Sequence, residues 1–311
     1  DYLTGMYSRE RSDSSYLKNT GVTIAIGKQL KWPDDYFSLT TALNYTQYSL
    51  KNYPNLFPGL SDGKSQNFNI KFTLQRFSQD QPTFPRSGSN FMLSAQFTPP
   101  YSILDKSIET SANPYKLVEY HKWRFSGEWF VPLGRPMGAD QSRQFVLKFA
   151  AKYGFMGRYN QNVGFAPFER FQVGDAGLTN NFGVLGYDII AHRGYPVYDN
   201  PDPKVNPDQQ SARDYFTIFN KYTVEVRYPF STNPSSTIYG LTFFEAANGW
   251  YDFKDFNPFK LRRSAGVGMR FFLPMFGLLG FDYGIGFDRM KPGARLKDAT
   301  RFTFMLGFEP E

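Results

Sequence analysis

Cysteine is missing from all 311 residues, which excludes a disulfide framework, thiolate metal sites and a cysteine nucleophile. Histidine is scarce. His121 and His192 stand alone, with no metal-ligand spacing between them and no local Ser/His/Asp arrangement. Mean hydropathy is negative, and no run of about 18 apolar residues exists, so membrane-spanning helices are excluded. The net charge of +7 is spread out, without the dense Lys/Arg run and interleaved rings expected of a nucleic-acid binder. Asp1-Tyr2-Leu3-Thr4 has neither the basic nor the apolar region of a signal peptide, so the sequence is expected to begin inside a mature, larger protein. Neither catalysis nor a cofactor is expected.

Aromatics, by contrast, are abundant: 33 Phe, 21 Tyr and 4 Trp bring the aromatic share to 19%. They recur at every second position. Phe145, Leu147, Phe149, Ala151, Tyr153 and Phe155 oppose Gln144, Lys148, Lys152 and Gly154. Tyr222, Val224, Val226 and Tyr228 oppose Lys221, Thr223, Glu225 and Arg227, and Phe281, Tyr283, Ile285 and Phe287 oppose Gly280, Asp282, Gly284 and Gly286. Successive strand side chains point to opposite faces, so each segment has one apolar and one polar side. Strands are expected near 2–9, 20–28, 37–49, 66–77, 89–98, 118–131, 143–157, 214–229, 237–250, 261–273, 278–288 and 301–308. Most reach the roughly 9–11 residues that a tilted strand needs to cross hydrocarbon. The fold class is therefore all-β, an antiparallel transmembrane β-barrel with about twelve strands in this chain. A soluble aromatic-rich sandwich is the alternative.

The links alternate short (29–36, 78–88, 132–142, 230–236, 274–277) and long (10–19, 50–65, 99–117, 158–213, 251–260, 289–300). Outer-membrane barrels have tight periplasmic turns and long outward loops, which places the C-terminus on the periplasmic side. Residues 158–213 far exceed the roughly 12–15 residues at which structureless loops become uncommon. The acidic, Pro-rich run from Tyr198 to Pro203 is read as a solvated outward excursion in preference to a calcium site. Gly266-Val267-Gly268 and Gly284-Ile285-Gly286 lie in strands, where such glycines mark kinks or the close approach of another element. His121, on one strand face with Glu119, Trp123 and Phe125, is expected to be packed or interfacial.

Within the long loop stand Pro167-Phe168-Glu169-Arg170-Phe171-Gln172-Val173-Gly174-Asp175 and then Ile190-Ala191-His192-Arg193-Gly194-Tyr195-Pro196. This combination resembles the sixth extracellular loop of the BamA superfamily, whose Arg-Gly-Phe/Tyr tip folds back into the barrel lumen. Arg193, Gly194 and Tyr195 match that tip, with His192 where the family commonly has valine or leucine. Phe243-Phe244-Glu245-Ala246-Ala247-Asn248-Gly249-Trp250 is similar to the strand carrying the tip's acidic partner, with Glu245 in place of the usual aspartate. Leu261 to Gly268, followed by Leu273-Pro274, resembles the next strand and turn. Arg301-Phe302-Thr303-Phe304-Met305-Leu306-Gly307-Phe308 is similar to the closing strand. Glu309-Pro310-Glu311 follow where the family often stops at an aromatic residue.

The resemblance implies a barrel of about sixteen strands, preceded by POTRA repeats, of which residues 1–311 are the transmembrane domain and 158–213 a lumen-inserting loop. It implies a non-enzymatic outer-membrane insertase working at the seam between first and last strands. The closing strand would contribute Phe302, Phe304, Leu306 and Phe308 to the lipid side, with Gly307 opposite. Implied partners are nascent outer-membrane β-barrel proteins, periplasmic accessory lipoproteins, lipopolysaccharide and outer-membrane lipid. A guanidinium at a loop tip in a narrow lumen needs a carboxylate, so an Arg193–Glu245 pair is expected, against a solvated arginine on a mobile loop. Rival functions are a two-partner secretion transporter of the same superfamily and a passive porin-like channel.

Overall fold

The computed structural model describes residues 7–12, 15–52, 62–138, 143–175, 186–197, 216–233, 236–273, 277–290, 293 and 295–307. Twelve antiparallel strands form a single meander sheet, each hydrogen-bonded to the next in chain order. They are β1 (Tyr7–Ser12), β2 (Ser15–Gln29), β3 (Phe37–Lys51), β4 (Gly63–Phe77), β5 (Gly88–Phe97), β6 (His121–Met137) and β7 (Arg143–Gly157). After the long loop, which carries the short strands β8 (Phe171–Val173) and β9 (Asp188–Ile190), come β10 (Ile218–Asn233), β11 (Ser236–Trp250), β12 (Arg262–Leu273), β13 (Gly277–Gly286) and β14 (Thr300–Gly307). Strands β1 and β14 end the ladder order, and no ladder joins them among the described residues.

The alternation resolves into two surfaces of opposite chemistry. The outer face exposes Ile24, Phe72, Trp123, Trp129, Phe149, Phe244, Val267 and Phe302, with Ile26 74% accessible. A surface that apolar is stable only against hydrocarbon or a partner. The inner face buries Lys122, Lys148, Lys221, Glu225, Arg227, Glu245, Arg270 and Asp282, a row that would be costly against lipid. This polar interior is not the dry core of two stacked sheets, so the sandwich alternative falls. The wall also meets itself across the lumen: Phe84, from the turn after β4, packs 5.0 Å from the ring of Tyr239 on β11.

Three expectations need correction. The first hairpin is not long: Ser12 pairs with Ser15, so the short–long alternation fails at that link. The predicted strand at 2–9 is described only from Tyr7. At its start β6 is shorter than expected, because Glu119 turns inward and accepts hydrogen bonds from the Ser102 N–H (2.8 Å) and Oγ (2.5 Å). Phe287 leaves its strand for a single 3₁₀ turn, Phe287–Arg289. The acidic run after Tyr198, and Phe308, lie outside the described residues.

Candidate functional site: the loop tip in the lumen

From the end of β7 the chain folds back between the walls. Phe168 stacks on Tyr48 of β3 at 4.3 Å, and Phe171 meets Phe219 of β10 at 4.7 Å. β8 and β9 pair in parallel, which fixes the two halves of the loop to one another. Glu169 accepts from the Tyr48 hydroxyl (3.2 Å) and the Asn67 amide (3.1 Å). Burial pushes its carboxyl above the usual carboxylate range, against the pull of Lys122. Asp188 pairs with Lys122 (2.8 Å) and Arg124 (3.0 Å) of β6. Burial opposes its ionisation, yet those two cations hold its carboxyl below the usual range.

Arg193 sits at the centre. Its Nε and Nη2 donate to Oε1 of Glu245 at 3.0 and 2.7 Å, and its backbone N–H donates to Oε2 at 2.9 Å. Nη2 also donates to Glu225 Oε1 at 2.5 Å, and Asp282 lies 3.9 Å from Nη1. The guanidinium stacks over the Phe243 ring at 3.8 Å, a contact worth about 2 kcal/mol when desolvated. Three carboxylates from β10, β11 and β13 thus converge on one cation. Burial alone would ease the guanidinium's proton off, but Glu245 and Glu225 hold it on more firmly than usual. Their own charge is shared with Lys221, 3.0 Å from Glu245, and Arg227, 2.6 Å from Glu225. Each buried charge is therefore paired, the condition for tolerating ions out of water.

The neighbours of Arg193 complete the tip. Gly194 has φ +85°, and a Cβ there would come within 3.1–3.3 Å of the backbone of Gly284, Ile285 and Gly286. Loop backbone lies against strand backbone, which explains the glycine pair in β13. The Gly194 carbonyl accepts from Arg289 Nη1 (2.9 Å). The Tyr195 hydroxyl donates to the Arg263 carbonyl (3.0 Å) and accepts from the Asp288 N–H (3.0 Å); burial pushes its pKa up to about 12. His192 is fully buried, stacked on Tyr195 at 4.5 Å and 3.2 Å from Ser264 Oγ. Burial drives its imidazole pKa down to about 3, against the attraction of Glu245. Earlier in the loop, Asp175 accepts from Arg301 Nε (2.9 Å) and from the Thr303 hydroxyl. Its carbonyl accepts from Arg301 Nη2 (3.1 Å), so the loop also grips β14.

The structure brings Arg193, Gly194, Tyr195 and Glu245 together. Phe302, Phe304 and Leu306 lie on the outward row of β14, and Gly307 ends that strand, paired with Leu278. Sequence reasoning placed Glu225 and Asp282 on polar faces but did not see them as partners of Arg193. It also missed Phe243, Lys221 and Asp175. The signal for Glu225 and Phe243 was register, since they sit opposite one another across the β10–β11 ladder. No group of three or more His, Asp or Glu suited to a metal occurs among the described residues.

A family model described as the Omp85 superfamily domain matches residues 3–309. Among solved structures, the crystal structure of BamA from Haemophilus ducreyi lacking POTRA domains 1–3 superposes with a TM-score of 0.58 at 16% identity. The match covers 96% of this chain and 56% of that one, so the chain spans little more than half that structure's length. At such identity the likeness concerns fold. No curated protein matches the sequence. With a lumen loop built as described and a family model covering nearly its whole length, the chain belongs to the Omp85 superfamily.

Proposed function

We propose that this chain is the barrel of an outer-membrane protein insertase, which accepts nascent β-barrel proteins at a lateral seam and carries out no covalent chemistry. The observation that carries the reading is the Arg193 tip, clamped by Glu225 and Glu245 inside the lumen. A passive porin keeps its lumen open, whereas here a loop enters it and grips both the wall and the terminal strand. Strand addition to an exposed edge is a physical route for a client, because unpaired backbone groups in lipid demand partners. In this reading the bilayer is the bacterial outer membrane, the short turns and C-terminus face the periplasm, and periplasmic lipoproteins and lipopolysaccharide are partners.

A transporter of the same superfamily is a second reading, favoured by a polar cavity of about 250 Å³ beneath the tip, lined in part by Lys148, Lys152, Lys221 and Arg270. Reconstitution of the full-length protein in liposomes separates them. An insertase accelerates folding of an added barrel client, and R193A slows that acceleration. If client folding is unchanged while a soluble polypeptide crosses the bilayer, the transporter reading replaces it.

A further inference from the structure

At the loop-side rim the outer wall carries a band of polar-tipped rings. Trp123 Nε1 donates to His121 Nδ1 (3.2 Å), and the hydroxyls of Tyr153 and Tyr222 are 2.8 Å apart. Such rings sit at headgroup level, where one end is apolar and the other wet. A groove of about 250 Å³ opens there, with Phe155, Ile218 and Phe253 as apolar lining and His121, Arg158 and Asp252 as polar groups. Sites that engulf a whole drug-sized ligand run to about 300–1,000 Å³, so this groove suits a chain segment and a headgroup.

Two donor side chains, Arg158 and His121, line that part of the groove. The Arg158 guanidinium carbon lies 4.4 Å from the centroid of the Phe165 ring, a cation–π contact that holds the side chain without using up a hydrogen-bond donor on a carboxylate. Among the described residues no carboxylate lies within ion-pair distance of it. Because His121 accepts from Trp123 at Nδ1, the neutral imidazole carries its proton on Nε2, the nitrogen that lies over Gly157. A Cβ on Gly157 would meet that ring at 2.2 Å, so glycine is what lets the imidazole lie flat along the groove. Asp252, which also lines the groove, accepts from the Lys254 N–H at 3.3 Å and adds the one carboxylate among the described lining residues.

We infer that this groove binds a phosphate-bearing lipid of the outward leaflet, an acyl chain along Phe155, Ile218 and Phe253 and the phosphate on Arg158 and the His121 Nε2–H. The inference rests on the membrane-barrel reading but not on insertase activity. Its test is native mass spectrometry of the full-length protein with added phosphatidylglycerol, diacylglycerol or inorganic phosphate. One phosphatidylglycerol is expected to survive activation that strips the diacylglycerol. Losing a charge-assisted contact in R158Q should weaken retention about tenfold, R158K should restore part of it, and D252N should strengthen it. Heat-shifted gel mobility verifies that each variant is a folded barrel. Equal retention of both lipids, or no change in R158Q, overturns the site; binding of inorganic phosphate as tightly as the lipid overturns the lipid assignment. Client-folding activity is read separately, so its loss would leave this result standing.

Discussion

Arg193 is held by contacts that no other residue type reproduces. Its fork spans two carboxylates while its face covers Phe243; lysine offers a point charge without the fork or the stacking plane. R193A leaves Glu225 and Glu245 buried beside Lys221 and Arg227, and breaking a buried ion pair from one side costs about 3–5 kcal/mol. Limited proteolysis should therefore cut within 186–197 in R193A, more weakly in R193K, and not in the parent. His192 adds a pH dependence. Undocked, its imidazole titrates near the ordinary value of about 6.5; docked among Glu245, Lys221, Arg193 and Arg262 it titrates at about 3. The undocked loop binds the extra proton between those values. Docking is thus complete above the upper value and weakens as pH falls through it, by up to about 1.4 kcal/mol per unit. Protease sensitivity of the loop should rise from pH 7.5 to pH 5, and H192L should flatten that rise. Equal sensitivity across the range in the parent would refute this.

Among the elements, β14, like β1 at the other end of the sheet, is paired along one edge alone among the described residues. Only β13 pairs with it, so half its backbone groups depend on something other than a described ladder. Asp175 supplies a hold from within through Arg301 and Thr303, and the same loop is fixed to β10, β11 and β13 at its tip. D175N keeps the shape but removes the charge, and hydrogen bonds to charged groups are worth about 1.5–3 kcal/mol. Amide exchange of Arg301–Leu306 should accelerate about tenfold or more in D175N, while the β10–β11 ladder stays protected. Unchanged exchange in β14 would show that the strand does not rely on the loop. Elements also show where sequence reading stopped short. The first hairpin carried no signal that its strands would run to Ser12 and Ser15. In contrast, β7 was legible to its ends and β10 in the alternation of its faces, because Lys148, Lys152, Glu225 and Arg227 alternate cleanly with aromatic and β-branched neighbours. β10 itself runs Ile218–Asn233, four residues later than the expected 214–229.

For the molecule as a whole, the two faces of the sheet predict opposite tolerance to charge. Val267 stands in the middle of β12, 55% accessible on the outer face. Arginine there should cost about 2–4 kcal/mol in a bilayer, as at the midplane of other barrels. Ser126, lining the lumen cavity, should accept lysine with less than about 1 kcal/mol change. Urea titrations of the two variants folded into vesicles measure the difference; similar losses would mean that the outer face does not meet hydrocarbon.

The sequence by itself determined that difference between the faces. A strand repeats every two residues whatever surrounds it, so the inward and outward rows, the strand order and the long loop with its Arg193-Gly194-Tyr195 tip could be read along the chain. The partners could not. Glu225, Glu245 and Asp282 lie far apart in sequence on three strands, and only the registers of three adjacent ladders and the curl of the wall bring them to one guanidinium. Convergence in space is a property of the curled sheet and the loop folded into it, because a local pattern says which way a side chain points and not what it meets.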